Sequence, residues 1–390
     1  MDIQLKKRLK RNIALDYIST FITNLNMQSS VWVLYLAYCG LSLTQIGLVE
    51  GVYHATSILF EIPSGAVADL LGRKRSMILS RICVAISCII MLFFRDFWFF
   101  ALSFAIQALG NNFNSGSEEA LLYDSMKSIG QEEKYMGVYG RLNMIIEVSQ
   151  GIATVLGGIL AEYSYFWCYS ACLVIALLAI FPVWAMTEAP MKGHEKHESR
   201  HVLEAVALHF RTSYEILKSD IRILKISVYY SVIFAAETLL FFYSQQYYAQ
   251  MGYNKIQISV ILLFAGCVSC LGAVLSEKIY RRFGRKTAFL GGLFIALSLI
   301  CYGAGNVVIA VSAFCIGSFA NSALYPVQSE SLNELIPSEQ RATLISVNSM
   351  FFSIFMILLF PIAGAMADQW GLAGVLAGIG SVLLAFILLW

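Results

Sequence analysis

Three side chains that can exchange protons recur on one predicted helix face inside an apolar stretch of this 390-residue chain. Glu50, His54 and Glu61 are four and seven residues apart, so on an α-helix they fall within about 40° of one another. A carboxylate, an imidazole and a second carboxylate could relay protons along that face. The structural alternative is that His54 is a buried histidine with satisfied hydrogen bonds, while Glu50 and Glu61 lie near the two ends of the stretch.

A second predicted face carries amides. Its members are Gln107, Asn111, Asn114 and Glu118, which also fall within about 40° on a continuous helix. Such a stripe indicates the polar wall of a substrate-binding cavity, where Glu118 could also serve in proton coupling. Alternatively, amides join neighbouring helices through hydrogen bonds. The same two alternatives apply to Asn24 and Gln28, which are one predicted helical turn apart.

A third candidate site surrounds Glu237, near the middle of its apolar stretch. Aromatic and amide side chains share its predicted helix face: Tyr230, Phe234, Phe241, Gln245 and Tyr248. A carboxylate among aromatic rings suits a lipophilic organic cation, because charge and cation–π attraction would both hold it. An aromatic stripe alone is typical of ordinary packing. The prediction of a site for substrate and proton therefore depends on Glu237 itself.

These side chains lie in stretches long enough to cross a lipid bilayer as helices. The chain is 58% hydrophobic and only 13% charged, whereas about a quarter of residues are charged in a soluble protein. Stretches of about 20 apolar residues, the length a bilayer requires, occur twelve times: 13–39, 44–70, 76–94, 97–124, 138–162, 165–187, 224–249, 255–280, 287–304, 307–333, 342–367 and 370–389. The expected fold class is an all-α polytopic membrane protein with twelve transmembrane helices.

The basic residues predict the orientation of these helices. With the N-terminus in the cytoplasm, all of the 27 Lys and Arg residues except Arg95 and Lys255 fall on the cytoplasmic side. That asymmetry satisfies the positive-inside rule and predicts that both termini are cytoplasmic. The basic residues are thus topology signals, and no nucleic-acid partner is expected. No cofactor, metal site or catalytic constellation is expected either, so the sequence does not indicate an enzyme.

The two halves of the chain repeat each other. A shift of 212 residues places Gly40 on Gly252 and Gln45 on Gln257, and it places the tripeptide 72–74 on 284–286. Each half contains six predicted helices, so both enter the membrane from the same side, and the repeat is parallel. The predicted domains are an N-terminal six-helix bundle (1–187), a cytoplasmic linker with an amphipathic helix (188–222) and a C-terminal six-helix bundle (223–390).

A charged motif separates the second and third predicted helices. It reads GxxxDxxGRK, with Gly65, Asp69, Gly72, Arg73 and Lys74 as its members. Together with the parallel repeat of six helices and the long middle linker, this motif resembles the major facilitator superfamily, specifically its bacterial twelve-helix drug and metabolite exporters. The resemblance covers the whole chain. It implies two six-helix bundles related by a pseudo-two-fold axis along the membrane normal.

The resemblance also implies roles for the motif. In such transporters its Asp and Arg form a conformational latch between the halves with an acid at the end of the fourth helix, which is Asp124 here. Gly72 is expected to permit a tight turn, and Gly65 to permit close helix contact. Two departures from drug–proton antiporters are present. Ile106 stands where their fourth helix usually carries arginine, and residues 153–158 replace their GPxxGG sequence.

The expected function is secondary active transport of a small organic molecule across the cytoplasmic membrane by alternating access. Proton-coupled efflux of an amphipathic, cationic compound is the leading interpretation. Proton-coupled import of a small polar metabolite and a non-transporting receptor with the same fold are the alternatives. The expected partners are the substrate, protons and membrane lipid, and the chain is expected to act as a monomer.

Overall fold

The fold is helical throughout the part of the chain that the structure describes. In this computed structural model the described residues are 3–189, 211–212, 215, 217–218, 220–333, 335 and 341–390, without the side chains of Asp69, Asn333 and residues 341–343. These residues contain no β-strand. Most of the amphipathic helix predicted within the linker lies outside the described residues.

In the part of the chain that the structure describes, nine α-helices precede residue 190 and six begin after residue 220. The first nine are α1 Ile3–Thr23, α2 Trp32–Tyr38, α3 Leu43–Leu71, α4 Arg73–Phe93, α5 Phe97–Asn114, α6 Ser117–Ser128, α7 Tyr135–Tyr163, α8 Tyr165–Leu178 and α9 Ile180–Ala185. The last six are α10 Ile221–Gln250, α11 Lys255–Phe283, α12 Lys286–Cys301, α13 Val307–Asn333, α14 Arg341–Trp370 and α15 Leu372–Leu389. Three pairs of helices (α1 with α2, α5 with α6, and α8 with α9) each correspond to one predicted segment, which accounts for all twelve.

Within the described residues, nine of the segments are long and apolar enough to span a membrane by composition alone. The exceptions are the first, second and fourth segments. The first begins with a run of Lys and Arg, the second carries Glu50 and Glu61, and the fourth is divided at Gly116. The polar residues that lower the hydropathy of these segments include the candidate residues of the sequence analysis.

Three segments predicted as continuous helices are broken, and two of these breaks correct an expected stripe. Gly116 adopts φ +72°, a backbone conformation that favours glycine, and it separates α5 from α6. Glu118 therefore lies in the first turn of α6 rather than on the helix that carries Gln107. In the first segment α1 ends at Thr23 and a 3₁₀ turn covers Met27–Ser30, so Asn24 and Gln28 are not one α-helical turn apart.

The internal repeat is visible as the same cap on two helices. At the start of α3, the Ser42 amide donates to Gln45 Oε1 (3.0 Å) and the Gln45 amide donates to the Ser42 hydroxyl (3.2 Å). At the start of α11, 212 residues later, the Asn254 amide donates to Gln257 Oε1 (3.0 Å) and the Gln257 amide donates to Asn254 Oδ1 (2.9 Å). Each pair is a capping box that satisfies otherwise unpaired amides.

The chain forms two compact units. Unit 1 comprises Met1–Ser29 and Ala55–Leu208, and unit 2 comprises Ser30–His54 and His209–Trp390. Unit 2 thus includes the first turns of α3 along with the helices after the linker. Asp368 on α14 accepts hydrogen bonds from the amides of Leu43 and Thr44, each at 2.9 Å, so a carboxylate lies at the N-terminus of α3. The domain boundaries drawn from the sequence repeat stay a prediction.

Gly364→Ala is expected to destabilise this packing in unit 2. A Cβ at Gly364 would overlap the backbone carbonyl of Leu43, and backbone atoms cannot move aside as a flexible side chain could. We expect a loss of about 1–3 kcal/mol of unfolding free energy, the usual cost of overpacking. Gly374→Ala is the control, because a Cβ there meets no described atom within 4 Å. Equal unfolding of the two variants in detergent would contradict this packing.

Two buried polar sites, one in each unit

Unit 1 contains a buried cluster of one cation and two acids. Arg81 on α4 is only 3% exposed, and so is Asp16 on α1. Arg81 Nη2 lies 3.8 Å from Oε2 of Glu118, the acid in the first turn of α6. Asp16 interacts electrostatically with both Arg81 and Glu118. The cluster therefore joins α1, α4 and α6 through two buried charges, on Asp16 and Arg81, and the partly buried carboxylate of Glu118.

Glu118 is also the centre of a hydrogen-bond network. Its Oε2 accepts from Asn114 Nδ2 at 2.6 Å, and its Oε1 accepts from the Thr20 hydroxyl at 3.2 Å. These bonds orient the carboxylate across the break between α5 and α6. Glu118 also lies in the first turn of α6, where the helix dipole favours a negative charge. The break in the fourth segment thus places this acid at the N-terminus of a helix.

A cavity of about 400 Å³ opens beside this cluster in unit 1. Within the described residues, Asp16 Oδ2, Arg81 Nε and Nη2, and Asn114 Oδ1 are buried without a hydrogen-bond partner, and all three residues line the cavity. Buried polar groups normally have partners. The cavity wall therefore offers a guanidinium, a carboxylate and an amide to a polar guest.

The cavity brings together most of the predicted polar residues of unit 1. Asn24, Asn111, Asn114 and Glu118 line it. Gln107 is half-buried and Gln28 is buried, and neither is among the lining residues. Their predicted roles in substrate binding stay untested.

Sequence reasoning missed Asp16 and Arg81 as site residues. Both stand near the predicted cytoplasmic ends of their segments, where charged residues are ordinary topology signals. Their surroundings in the sequence nevertheless separate them from ordinary topology signals. Each is an ionisable residue in a mostly apolar run, RNIALDYIST for Asp16 and SMILSRICVA for Arg81. Such residues are rare in membrane segments and usually functional.

Unit 2 contains an isolated buried acid. Glu237 lies near the middle of the 30-residue α10 and is 7% exposed. The Ser318 hydroxyl donates to its Oε1 at 3.2 Å. Among the described residues, no Lys, Arg or His forms an ion pair with it. Aromatic rings occupy the neighbouring turns of α10, where Phe234 stacks on Tyr325 with ring centroids 4.2 Å apart. An anionic carboxylate in this setting can bind a proton or an organic cation.

The other predicted members of the α10 face are distributed along the helix. Phe241 packs near Phe314 with ring centroids 6.2 Å apart. Gln245 is completely buried. Tyr230 lines a separate cavity at the start of α10, two turns from Glu237. The aromatic face is therefore continuous, but its members do not line one cavity.

The predicted face of α3 is partly brought together. His54 Nε2 lies 3.4 Å from Glu50 Oε1, and both residues are buried. His54 Nδ1 lies 3.2 Å from the Ser353 hydroxyl, and the tautomer decides which atom donates. Glu61 is half-buried and lies two turns further along α3, in the part that belongs to unit 1. The first two residues can share a proton directly.

The GxxxDxxGRK motif forms a capped turn in unit 1. Gly72 has φ +93°, and the amides of Arg73 and Lys74 each donate to the Glu188 carboxylate at 3.0 Å. Arg73 also forms an ion pair with Asp124, which belongs to the same unit. The sequence did not predict Glu188. Its carboxylate satisfies two otherwise unpaired amides at the start of α4.

Among the residues it describes, the structure does not show the close helix contact that was expected at Gly65. A Cβ at this position would meet no described atom within 4 Å, so no close helix contact requires the glycine in this conformation. Gly65 lies two residues after Pro63 in α3, and its position is exposed.

Asp69→Asn is expected to reduce transport about tenfold or more and to change the unfolding free energy by less than about 1 kcal/mol, the usual contribution of a surface ion pair. The physical reason is that a latch selects a conformation without building the core. Asp124→Asn should have the same effect, because it removes the partner of Arg73. Flux assays and thermal unfolding check both. Wild-type flux, or loss of folded protein in parallel with flux, would remove the latch role.

The whole chain matches a known family. The Major Facilitator Superfamily model matches residues 17–313 and 282–390. The uncharacterised MFS-type transporter YxaM of Bacillus subtilis is 21% identical over 367 residues, which cover 93% of this chain and 90% of that protein. The tetracycline resistance protein of class H from Pasteurella multocida is 21% identical over 357 residues, covering 89% and 86%.

Solved transporter structures share the fold. The nucleoside transporter NupG superimposes with a TM-score of 0.77 at 14% identity, covering 99% of both chains. A D-xylose-proton symporter superimposes with a TM-score of 0.69 at 14% identity, covering 99% of this chain and 97% of that one. These similarities confirm the predicted all-helical transporter fold. The chain belongs to the Major Facilitator Superfamily and is a multi-pass membrane transporter of small molecules.

Proposed function

We propose that this protein exports an amphipathic organic cation across the cytoplasmic membrane in exchange for protons, as a monomer with both termini in the cytoplasm. The observation that carries the proposal is Glu237, a buried carboxylate that no described basic residue neutralises. A buried charge is costly unless it is paired. Glu237 therefore favours either a proton or a cationic substrate, and alternation between the two would couple their movements.

The charge balance of the unit 1 cavity supports a cationic substrate. Its lining contains three acids, Asp16, Glu118 and Glu119, and one base, Arg81. The Tyr139 hydroxyl donates to Glu119 at 2.8 Å, which stabilises that acid without neutralising it. Both buried sites thus carry more carboxylate than basic charge.

This mechanism does not require the arginine that drug–proton antiporters carry on their fourth helix. A single carboxylate can bind proton and substrate by turns, so Ile106 at that position is compatible with coupling. Export is consistent with the word resistance in the name of the Pasteurella multocida relative, which is 21% identical to this chain.

Reconstituted vesicles test the proposal. Purified protein in liposomes with an imposed pH gradient should move tetraphenylphosphonium against its own gradient, with a matching movement of protons. Protein-free liposomes and dissipation of the gradient with an ionophore are the controls. Counterflow without any pH dependence would contradict proton coupling. Absence of all flux for every ligand that binds would favour the receptor alternative.

Import of a small polar metabolite is the second candidate. The amide-rich wall of the unit 1 cavity favours it, because Asn24, Asn111 and Asn114 could hydrogen-bond hydroxyl groups. The names of two structural neighbours, a nucleoside transporter and a D-xylose-proton symporter, are consistent with such cargo. Counterflow of labelled nucleosides or pentoses, with no flux of organic cations, would place this candidate ahead.

His54→Ala and Glu61→Gln are expected to abolish pH-driven accumulation and to preserve substrate counterflow. Counterflow needs no net proton movement, so a proton-relay residue should affect only the coupled assay. The matched control is Gln45→Ala, on the same helix but at the solvent-exposed cap. If both relay variants retain gradient-driven transport, the contact of His54 with Glu50 is structural.

A further inference from the structure

A second cavity, of about 440 Å³, opens at one end of unit 2. Its lining comes from the first turns of α10 and α12 and the last turns of α11, α13 and α15. On α10 the lining residues recur at helical spacing, from Arg222 and Lys225 to Tyr229 and Tyr230. The cavity is thus built by several helix ends, and it is separate from the carboxylate of Glu237, which does not line it.

The charge of this cavity is positive. Among the residues that the structure describes, its lining includes Arg222, Lys225 and Arg285 and no Asp or Glu. Arg222 pairs with the nearby Asp220 at 2.6 Å. Lys225 and Arg285 form no ion pair with any described residue, and both are exposed. Two basic side chains are therefore available to an anionic ligand.

The rest of the cavity wall is mostly apolar and aromatic. Tyr229 and Tyr230 are 7% and 3% exposed, so they lie inside the protein rather than in an aromatic belt facing lipid. The Tyr229 hydroxyl donates to the carbonyl of Ala288 at 3.0 Å, which fixes its ring. Ile226 and Phe289 continue the apolar surface. A ligand that fits has an anionic head and a hydrocarbon body.

We propose that this cavity binds an anionic phospholipid from the cytoplasmic leaflet, with its phosphate at Lys225 and Arg285. The basic residues place these helix ends on the cytoplasmic side by the positive-inside rule. Basic pockets between membrane helices on that side attract anionic headgroups. The apolar wall favours a lipid over free phosphate, because the acyl chains extend along it. Tyr230 is then part of the lipid site.

Native mass spectrometry of the full chain, titrated with phosphatidylglycerol, tests the site. Lys225→Gln/Arg285→Gln is expected to weaken the tightest phosphatidylglycerol binding about 25-fold, since each basic residue near a headgroup contributes about fivefold. The control is Arg281→Gln/Arg282→Gln, which removes two exposed basic residues near the same end that do not line the cavity. Thermal unfolding of both variants in phosphatidylcholine nanodiscs verifies that they fold.

The outcomes separate the sources of the anion. Tight binding of phosphatidylglycerol that is lost only in the cavity variant, and that millimolar glycerol 3-phosphate does not displace, supports the lipid site. Displacement by glycerol 3-phosphate would overturn it in favour of a soluble phosphate ligand. Equal binding of phosphatidylcholine, or equal loss in the control variant, would overturn it in favour of non-specific annular lipid. None of these outcomes depends on which substrate the protein transports.

Discussion

Arg81→Gln is expected to abolish transport and to lower the unfolding free energy by about 3–5 kcal/mol, the usual cost of breaking a buried ion pair. Arg81 is 3% exposed and provides the cation for Glu118 and Asp16. Glutamine removes the charge and leaves a shorter, polar side chain with two amide donors. The two carboxylates would then be left without a buried cation. Thermal unfolding in detergent and vesicle flux measure the two effects.

A second substitution makes this prediction specific to charge. Asp16→Asn combined with Arg81→Gln removes one acid as well, so the double variant should regain at least half of the lost stability. Arg95→Gln is the matched control, because Arg95 is exposed. Stability of Arg81→Gln equal to that of the wild type, or no recovery in the double variant, would contradict the buried charge cluster.

Glu237→Gln is expected to weaken cationic ligands about 30-fold or more and to leave neutral ligands of the same shape unaffected. The carboxylate is buried, so its attraction for a cation is little screened by water, and loss of one partner of such a pair is costly. Glutamine can still accept the hydrogen bond from Ser318, so the local packing should persist. Binding titrations with tetraphenylphosphonium and a neutral tetraphenyl analogue measure the difference.

Glu330→Gln is the control for this experiment, because it removes an exposed acid from the same unit. Its ligand binding should match that of the wild type. If Glu237→Gln binds the cation as well as wild type does, the export proposal loses its principal support and import of a polar metabolite moves ahead.

Much of the fold was predictable because each membrane-spanning helix needs about 20 predominantly apolar residues. Apolar stretches long enough for a bilayer predicted all twelve segments. The 212-residue repeat aligned Gly40 with Gly252, and these two glycines have similar backbone angles, φ +93° and +88°. The internal breaks were missed. A helix interruption at Gly116 depends on neighbouring contacts that supply new partners for freed backbone groups, and those contacts do not appear in hydropathy.

The candidate site was predictable only in part. Glu237 was identifiable because a mid-segment acid has no ordinary topological role. Asn114 and Glu118 were predicted to share one helix face. They lie on two helices, but Asn114 donates a hydrogen bond to Glu118 across the break, and both residues line the same cavity. Asp16 and Arg81 were overlooked because each stands near the cytoplasmic end of its segment, where a charge has an ordinary topological role. Residues 65 positions apart in the chain carry no local signal that they share one cluster.

The most direct measurement of the central claim is isothermal titration calorimetry of cation binding in buffers with different ionisation enthalpies. If one carboxylate exchanges a proton for the substrate, the observed enthalpy should vary with the buffer in proportion to about one proton released per cation bound. That dependence should vanish in Glu237→Gln and persist in Glu330→Gln. A wild-type binding enthalpy that is the same in every buffer would show that cation binding releases no proton, and it would contradict coupling through Glu237.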